Sequence, residues 1–90
     1  MQISAESRQA LSAFNERNFN TIKELIAQKP TTVTGMLKQA EGIASKEMFT
    51  NDPRIVGAML DLYNNNRLLY SLVRLKSREI YQKHSLSNNP

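Results

Sequence analysis

The stretch LYNNNRLLYSLVRLKSREIY, Leu62 to Tyr81, decides the architecture. Its apolar residues recur with helical spacing, yet three consecutive asparagines stand near its start. Asparagine side chains compete with the backbone for hydrogen bonds and so weaken a helix interior. Asn64, Asn65 and Asn66 therefore form either an exposed working face on one continuous rod or a hinge between two helices. The hinge is the preferred reading, because asparagine tolerates both an αL stop and the N-cap that a second helix needs. Leu62 and Tyr63 then close one helix, and Arg67 opens another that runs to about Lys83.

Upstream, NDPRIVGAMLDLY has the clearest helix start in the chain. Asp52 is suited to the N-cap, and Pro53 to the first helical position, where its missing N–H has no partner to lose. Ile55, Val56, Met59, Leu60 and Tyr63 form the apolar side, and Gly57 either admits a close backbone or simply weakens the helix. Before it, Thr34 can cap GMLKQAEGIASKEMF, where Met36, Leu37, Ala40, Ile43, Ala44 and Met48 make a helical stripe that Gly42 renders marginal. Pro30 stops the segment before that, and PTTVT reads as a loop rather than an edge strand. The first helix runs from a Ser4 cap to about Gln28, with Leu11, Phe14, Ile22, Leu25 and Ile26 on one arc. A break near Asn18, with Asn18 or Asn20 capping a second short helix, is the alternative.

These elements predict an all-α, compact bundle of four to five helices, one domain over residues 1–84, followed by a disordered polar tail, 85–90. A chain of 90 residues buries only a modest core, so homodimerisation is expected to complete it.

The composition, 40% hydrophobic and 22% charged, is that of a soluble globular protein. Cysteine is absent, which excludes disulfides, thiolate metal sites and a cysteine nucleophile. The single histidine, His84, reads as a solvated tail residue, and no carboxylate cluster converges for a metal, so no metal or cofactor is expected. Glycine-rich phosphate loops, paired catalytic carboxylates and Ser/His/Asp sets are also missing, and the chain is not expected to be an enzyme. Without a basic-then-apolar leader or an apolar run of about 18 residues, a cytoplasmic location with no membrane contact is expected.

The net charge of +4 is concentrated. From Leu62 onward Arg67, Arg74, Lys76, Arg78 and Lys83 are opposed by Glu79 alone, so this segment accounts for the whole excess. Arg67, Ser71, Arg74 and Arg78 fall within about 60° of one another on a helical wheel, with Tyr70 and Tyr81 beside them. Arginines at this spacing can meet successive phosphates. Lys76 and Lys83 point to the opposite side and add field. The nucleic-acid set is thus Arg67, Ser71, Arg74, Lys76, Arg78 and Lys83, with double-stranded DNA as the partner. Leu68, Leu69, Leu72, Val73, Leu75 and Ile80 span more arc than one neighbour usually covers; either the helix is central to the fold or these residues also meet a second subunit or a protein partner. TGMLKQAEGIASKEMF lacks the corner of a helix-turn-helix, so a DNA reader would be of another kind.

Over about Ile22 to Gln82, the segments IKELIAQKPTTVTG, MLKQAEGIASKE, MLDLYNNNRLLY and REIYQ resemble, in order and approximate spacing, the DsbA family of T-even-type phages. These are small double-stranded-DNA-binding proteins unrelated to the thiol oxidoreductase of that name. The best part is Leu60, Leu62 and Tyr63 followed by Asn66 and Arg67. The resemblance implies a phage-encoded helical protein that binds duplex DNA and modulates late transcription; the last helix departs from it in being basic rather than acidic. It transfers no contact residues. NDPRIVGAML with LLYSLV also resembles the inner-rod and needle subunits of type III secretion, which would imply assembly through an apolar face, although the Gln and Tyr positions usual around their turn are missing.

Overall fold

A computed structural model describes residues 4–87. They form α1 (Ala5–Ala27), α2 (Val33–Met48), α3 (Arg54–Asn65) and α4 (Arg67–Ser87), with no strand among the described residues. The chain is an all-α bundle. α2 packs most extensively on α4 and next on α1, while α3 lies mainly against α4.

Local chemistry sets each boundary. Ser4 Oγ accepts the Ser7 N–H at 3.1 Å and starts α1. α1 is continuous; no break occurs at Asn18, because its side chain is buried and donates to Thr50 Oγ1 at 2.9 Å rather than turning back on its own backbone. The α2 cap is Thr32, not Thr34: Thr32 Oγ1 accepts the Gly35 N–H at 3.0 Å, which draws Val33 and Thr34 into the first turn. Pro53 has helical dihedrals, φ −60° and ψ −21°. Asp52 does the capping before it, with Oδ1 accepting the Arg54 N–H at 2.9 Å.

The asparagines are a hinge, but not through a left-handed residue. No described non-glycine residue has positive φ. Asn66 instead leaves the helix at φ −153° and ψ 82°, and its Oδ1 accepts the Leu69 N–H at 3.1 Å as the cap of α4. One residue therefore both ends α3 and begins α4. α4 continues through Ser87, beyond Lys83, so residues 85–87 are helical; the remainder of the expected tail, 88–90, lies outside the described residues.

The core consists of Ile22 from α1, Ala40, Ile43 and Ala44 from α2, Ile55, Met59 and Leu62 from α3, and Leu69 and Val73 from α4. Ile22, Ile43, Leu69 and Val73 are fully covered or nearly so, and each contributes about 1.5–3 kcal/mol by leaving water. Gly42 has a packing reason: a Cβ there would stand 3.0 Å from Leu25 Cδ1 of α1. The helix loses propensity, and α1 comes closer.

Two polar devices hold α1, one at its C-terminal end and one at its middle. Buried Gln39 of α2 donates from Nε2 to the carbonyls of Leu25 at 2.7 Å and Gln28 at 2.9 Å, satisfying acceptors that the helix end leaves free. Farther along α1, Arg54 pairs with Glu16 at 2.6 Å and with Asp52 at 2.6 Å, and its guanidinium lies 4.2 Å from the Phe19 ring centre. Hydrogen bonds from Arg54 hold the Asp52 carboxyl below its ordinary range.

Gln39→Ala should cost about 1–2 kcal/mol, because the Gln28 carbonyl loses its side-chain partner and the Leu25 carbonyl keeps only the Gln28 N–H, read as a lowered urea midpoint with unchanged slope. A pH series tests Asp52. Because its folded pKa is depressed, its contribution is complete above the unfolded value, near 3.8, and is lost as pH falls through the folded one. Asp52→Asn retains a good cap, so urea midpoints measured from neutral pH downward should show a shallower acid decline in the variant.

Candidate nucleic-acid interface

α4 is amphipathic around most of its circumference, and its packing decides which part faces water. Leu69 and Val73 lie in the core, and Leu72 and Ile80 pack against it. Leu68 and Leu75 do not: they remain 59% and 44% exposed. The six apolar residues that the sequence groups as one partner face are thus divided. Four of them make α4 central to the fold, and Leu68 and Leu75 border the exposed stripe.

The basic set is divided as well. Arg67, Ser71 and Arg78 lie on the exposed side of α4. Arg67 stands over the Tyr63 ring, 4.8 Å from its centre, a cation–π contact that orients the guanidinium without neutralising it. Arg78 is exposed and forms no ion pair among the described residues.

Arg74, its side chain 41% exposed, is drawn toward α2. Its Nη2 donates to both carboxylate oxygens of Glu47 on α2 and stands 3.8 Å from Met59 Sδ, and its guanidinium lies 5.3 Å from the Tyr70 ring centre. Hydrogen bonding to Glu47 raises the Arg74 pKa against the opposing effect of partial burial. The Arg74 Nε is buried without a partner, so this side chain is committed to joining α2, α3 and α4. Lys76 pairs with Glu79 at 3.2 Å within α4. Lys83 lies with Glu41, Ser45, Lys76, Glu79 and His84 along a groove between α2 and α4.

The structure therefore brings Arg67, Ser71 and Arg78 together on one exposed face, places Arg74 in an interhelical latch, and sets Lys76 and Lys83 on the α2 side. The helical repeat puts Arg67 and Arg78 about 16 Å apart along the axis. Glu47 is the residue whose role the sequence reading missed. Its spacing from Arg74, 27 positions, carries no local pattern. His84 is exposed and meets Phe49 edge-on at 5.7 Å. No group of three or more histidine, cysteine, aspartate or glutamate side chains that could hold a metal occurs among the described residues. No described helix is long and apolar enough to cross a membrane.

No known protein family, curated protein or solved structure matches the chain.

Removing Arg74 should affect the fold. Arg74→Gln leaves Glu47, whose side chain is only 17% exposed, without its cation, and should lower stability by about 1–2 kcal/mol, between surface and buried ion pairs. Chemical denaturation of Arg74→Gln and Glu47→Gln together should show less than the sum of the single losses.

Proposed function

We propose that this chain is a small basic helical protein that binds double-stranded DNA through the exposed face of α4, as a phage-type transcription accessory factor. The observation that carries the reading is the shared exposure of Arg67, Ser71 and Arg78, with neither arginine in an ion pair among the described residues. Such guanidinium groups gain most from phosphate, because they need not leave an existing carboxylate and can bond phosphate oxygens bidentately. The Ser71 hydroxyl between them can donate to a phosphate oxygen. Lys83 and the other basic residues of α4 contribute field rather than defined contacts.

Recognition on this model is chiefly electrostatic. Leu68 and Leu75 stand next to the arginines, and could meet sugar or thymine methyl surface, but no array of amide side chains is aimed from this face at base edges. The accessory role in late transcription rests on the resemblance of MLDLYNNNRLLY and REIYQ to the DsbA proteins of T-even-type phages. The rod and needle resemblance lacks an equivalent support, since Leu69 and Leu72, two of the three leucines in LLYSLV, pack inward.

Counterion release makes the reading testable by anisotropy with a labelled duplex over a salt series. Each phosphate contact contributes about 0.9 to the slope of log affinity against log salt. Arg67→Ala and Arg78→Ala should each weaken binding and reduce the slope by about 1, whereas Arg74→Gln should leave the slope unchanged. Absence of duplex binding by the wild-type chain at low salt would rule the function out.

A further inference from the structure

Two leucines of α4 stay in water beside the arginines. Leu68 is 59% exposed and Leu75 44%, and the helical repeat sets them about 10 Å apart along the axis and within about 20° of one another. Leu72 falls between them, four residues after the first and three before the second; it packs against the core and is only partly covered. Leu68, Leu72 and Leu75 thus keep the spacing of a coiled-coil seam, the pattern that receives the side chains of a second helix. Glu79 and Gln82 stand at the next two seam positions, so the apolar stretch ends after about two turns.

The charges around this seam are unevenly matched. Arg67, Ser71 and Arg78 flank one side, and neither arginine is in an ion pair among the described residues. Lys76 and Lys83 lie toward the other side, where Lys76 holds the Glu79 carboxylate at 3.2 Å. Arg74, at the far margin of the arginines, is matched by Glu47. Asp61 of α3 is exposed and forms no ion pair with Arg67 or Arg78. Positive charge is left over on the arginine side.

That combination selects the occupant. A second α4 would bring Glu79 as its one carboxylate against the same cations, so two such faces repel. Duplex DNA satisfies the arginines, but its phosphate and sugar edge gives the leucines little apolar surface. A helix with apolar residues at its own seam and Asp or Glu on its flanks meets both needs: its apolar side chains cover Leu68 and Leu75, and its carboxylates bond the guanidinium groups.

We propose that the exposed side of α4, from Arg67 to Arg78, docks a short acidic amphipathic helix of another protein. The docking stands on the leucine seam and its unmatched arginines; that the helix and duplex DNA exclude one another rests on the DNA reading, since both use Arg67 and Arg78. The probe is a labelled amphipathic peptide of about four turns, with leucine at the seam positions and glutamate on both flanks, titrated by anisotropy with the full chain at low salt and without DNA. It should bind about tenfold or more tighter than a scrambled peptide of the same composition, and a version with lysine for each glutamate should not bind. Leu75→Ser should weaken binding by about five- to tenfold with an unchanged salt slope, because no ion contact is lost. Arg78→Ala should reduce both affinity and slope. Both variants should retain helical circular dichroism, since both side chains are exposed. Equal binding of the amphipathic and scrambled peptides overturns the proposal, as does wild-type affinity in Leu75→Ser. So does a chain that self-associates in sedimentation equilibrium and is dissociated by Leu75→Ser, which gives the face to a second copy. Peptide binding by a chain that does not bind duplex supports the docking and removes the DNA reading; duplex binding without peptide binding removes the docking alone. Failure of the bound peptide to displace a labelled duplex overturns the shared use of the arginines.

Discussion

The structure depends first on the close packing of α2 against α4. Ala40 and Ala44 lie one turn apart on α2 and are completely buried; their small side chains allow a neighbouring helix to approach. Ile43 between them and Leu69 and Val73 of α4 belong to the same core cluster. This seat sets the rotation of α4, and the rotation determines which of its many apolar and basic residues reach water. Arg74 reinforces the same choice by bonding Glu47 of α2. A rotation that freed Arg74 from Glu47 would have to unseat Val73, its chain neighbour.

Around that pair, the connections are short and are held by side chains rather than by special backbone conformations. Gln39 ties down the end of α1, Thr32 begins α2, Thr50 receives Asn18, and Asn66 begins α4. Buried polar groups at these points are satisfied within the fold, which makes each junction specific as well as stable. The same economy limits the core. The chain has a radius of gyration of 14.7 Å and extents of 45 × 36 × 19 Å, whereas a compact domain of 90 residues has a radius near 12 Å. The first turns of α1 extend from the bundle, with Leu11 and Phe14 half exposed.

Helix class, the proline-started α3 and the asparagine hinge were legible in the sequence because each rests on local chemistry. Periodicity, a cap or a missing N–H acts over a few residues; the reading slipped at Thr34, where Thr32 competed as the cap, at the expected αL stop, and past Lys83, where α4 runs on to Ser87. Burial was less legible. Val56, Leu60 and Tyr63 share an apolar arc with Ile55 and Met59, yet the first three face water and the last two face the core. The wheel gives the width of such an arc, but which edge is covered depends on where the neighbouring helix lies. The basic stripe shows the same limit in electrostatic form. Arg67, Arg74 and Arg78 are equivalent on a wheel; a carboxylate from another helix, Glu47, distinguishes the middle one.

The two outward faces are mechanically linked. Only Asn66 separates α3 from α4, and a single-residue hinge would swing freely if nothing else joined the helices. Tyr63 and Tyr70 meet edge to face across it, with ring centres 5.2 Å apart, and Arg67 covers the Tyr63 ring. The last turn of α3 and the first turns of α4 are therefore joined by aromatic contact as well as by the chain, and Leu62 and Leu69 anchor both in the core. The direction of Arg67 on α4 is thus tied to the last turn of α3.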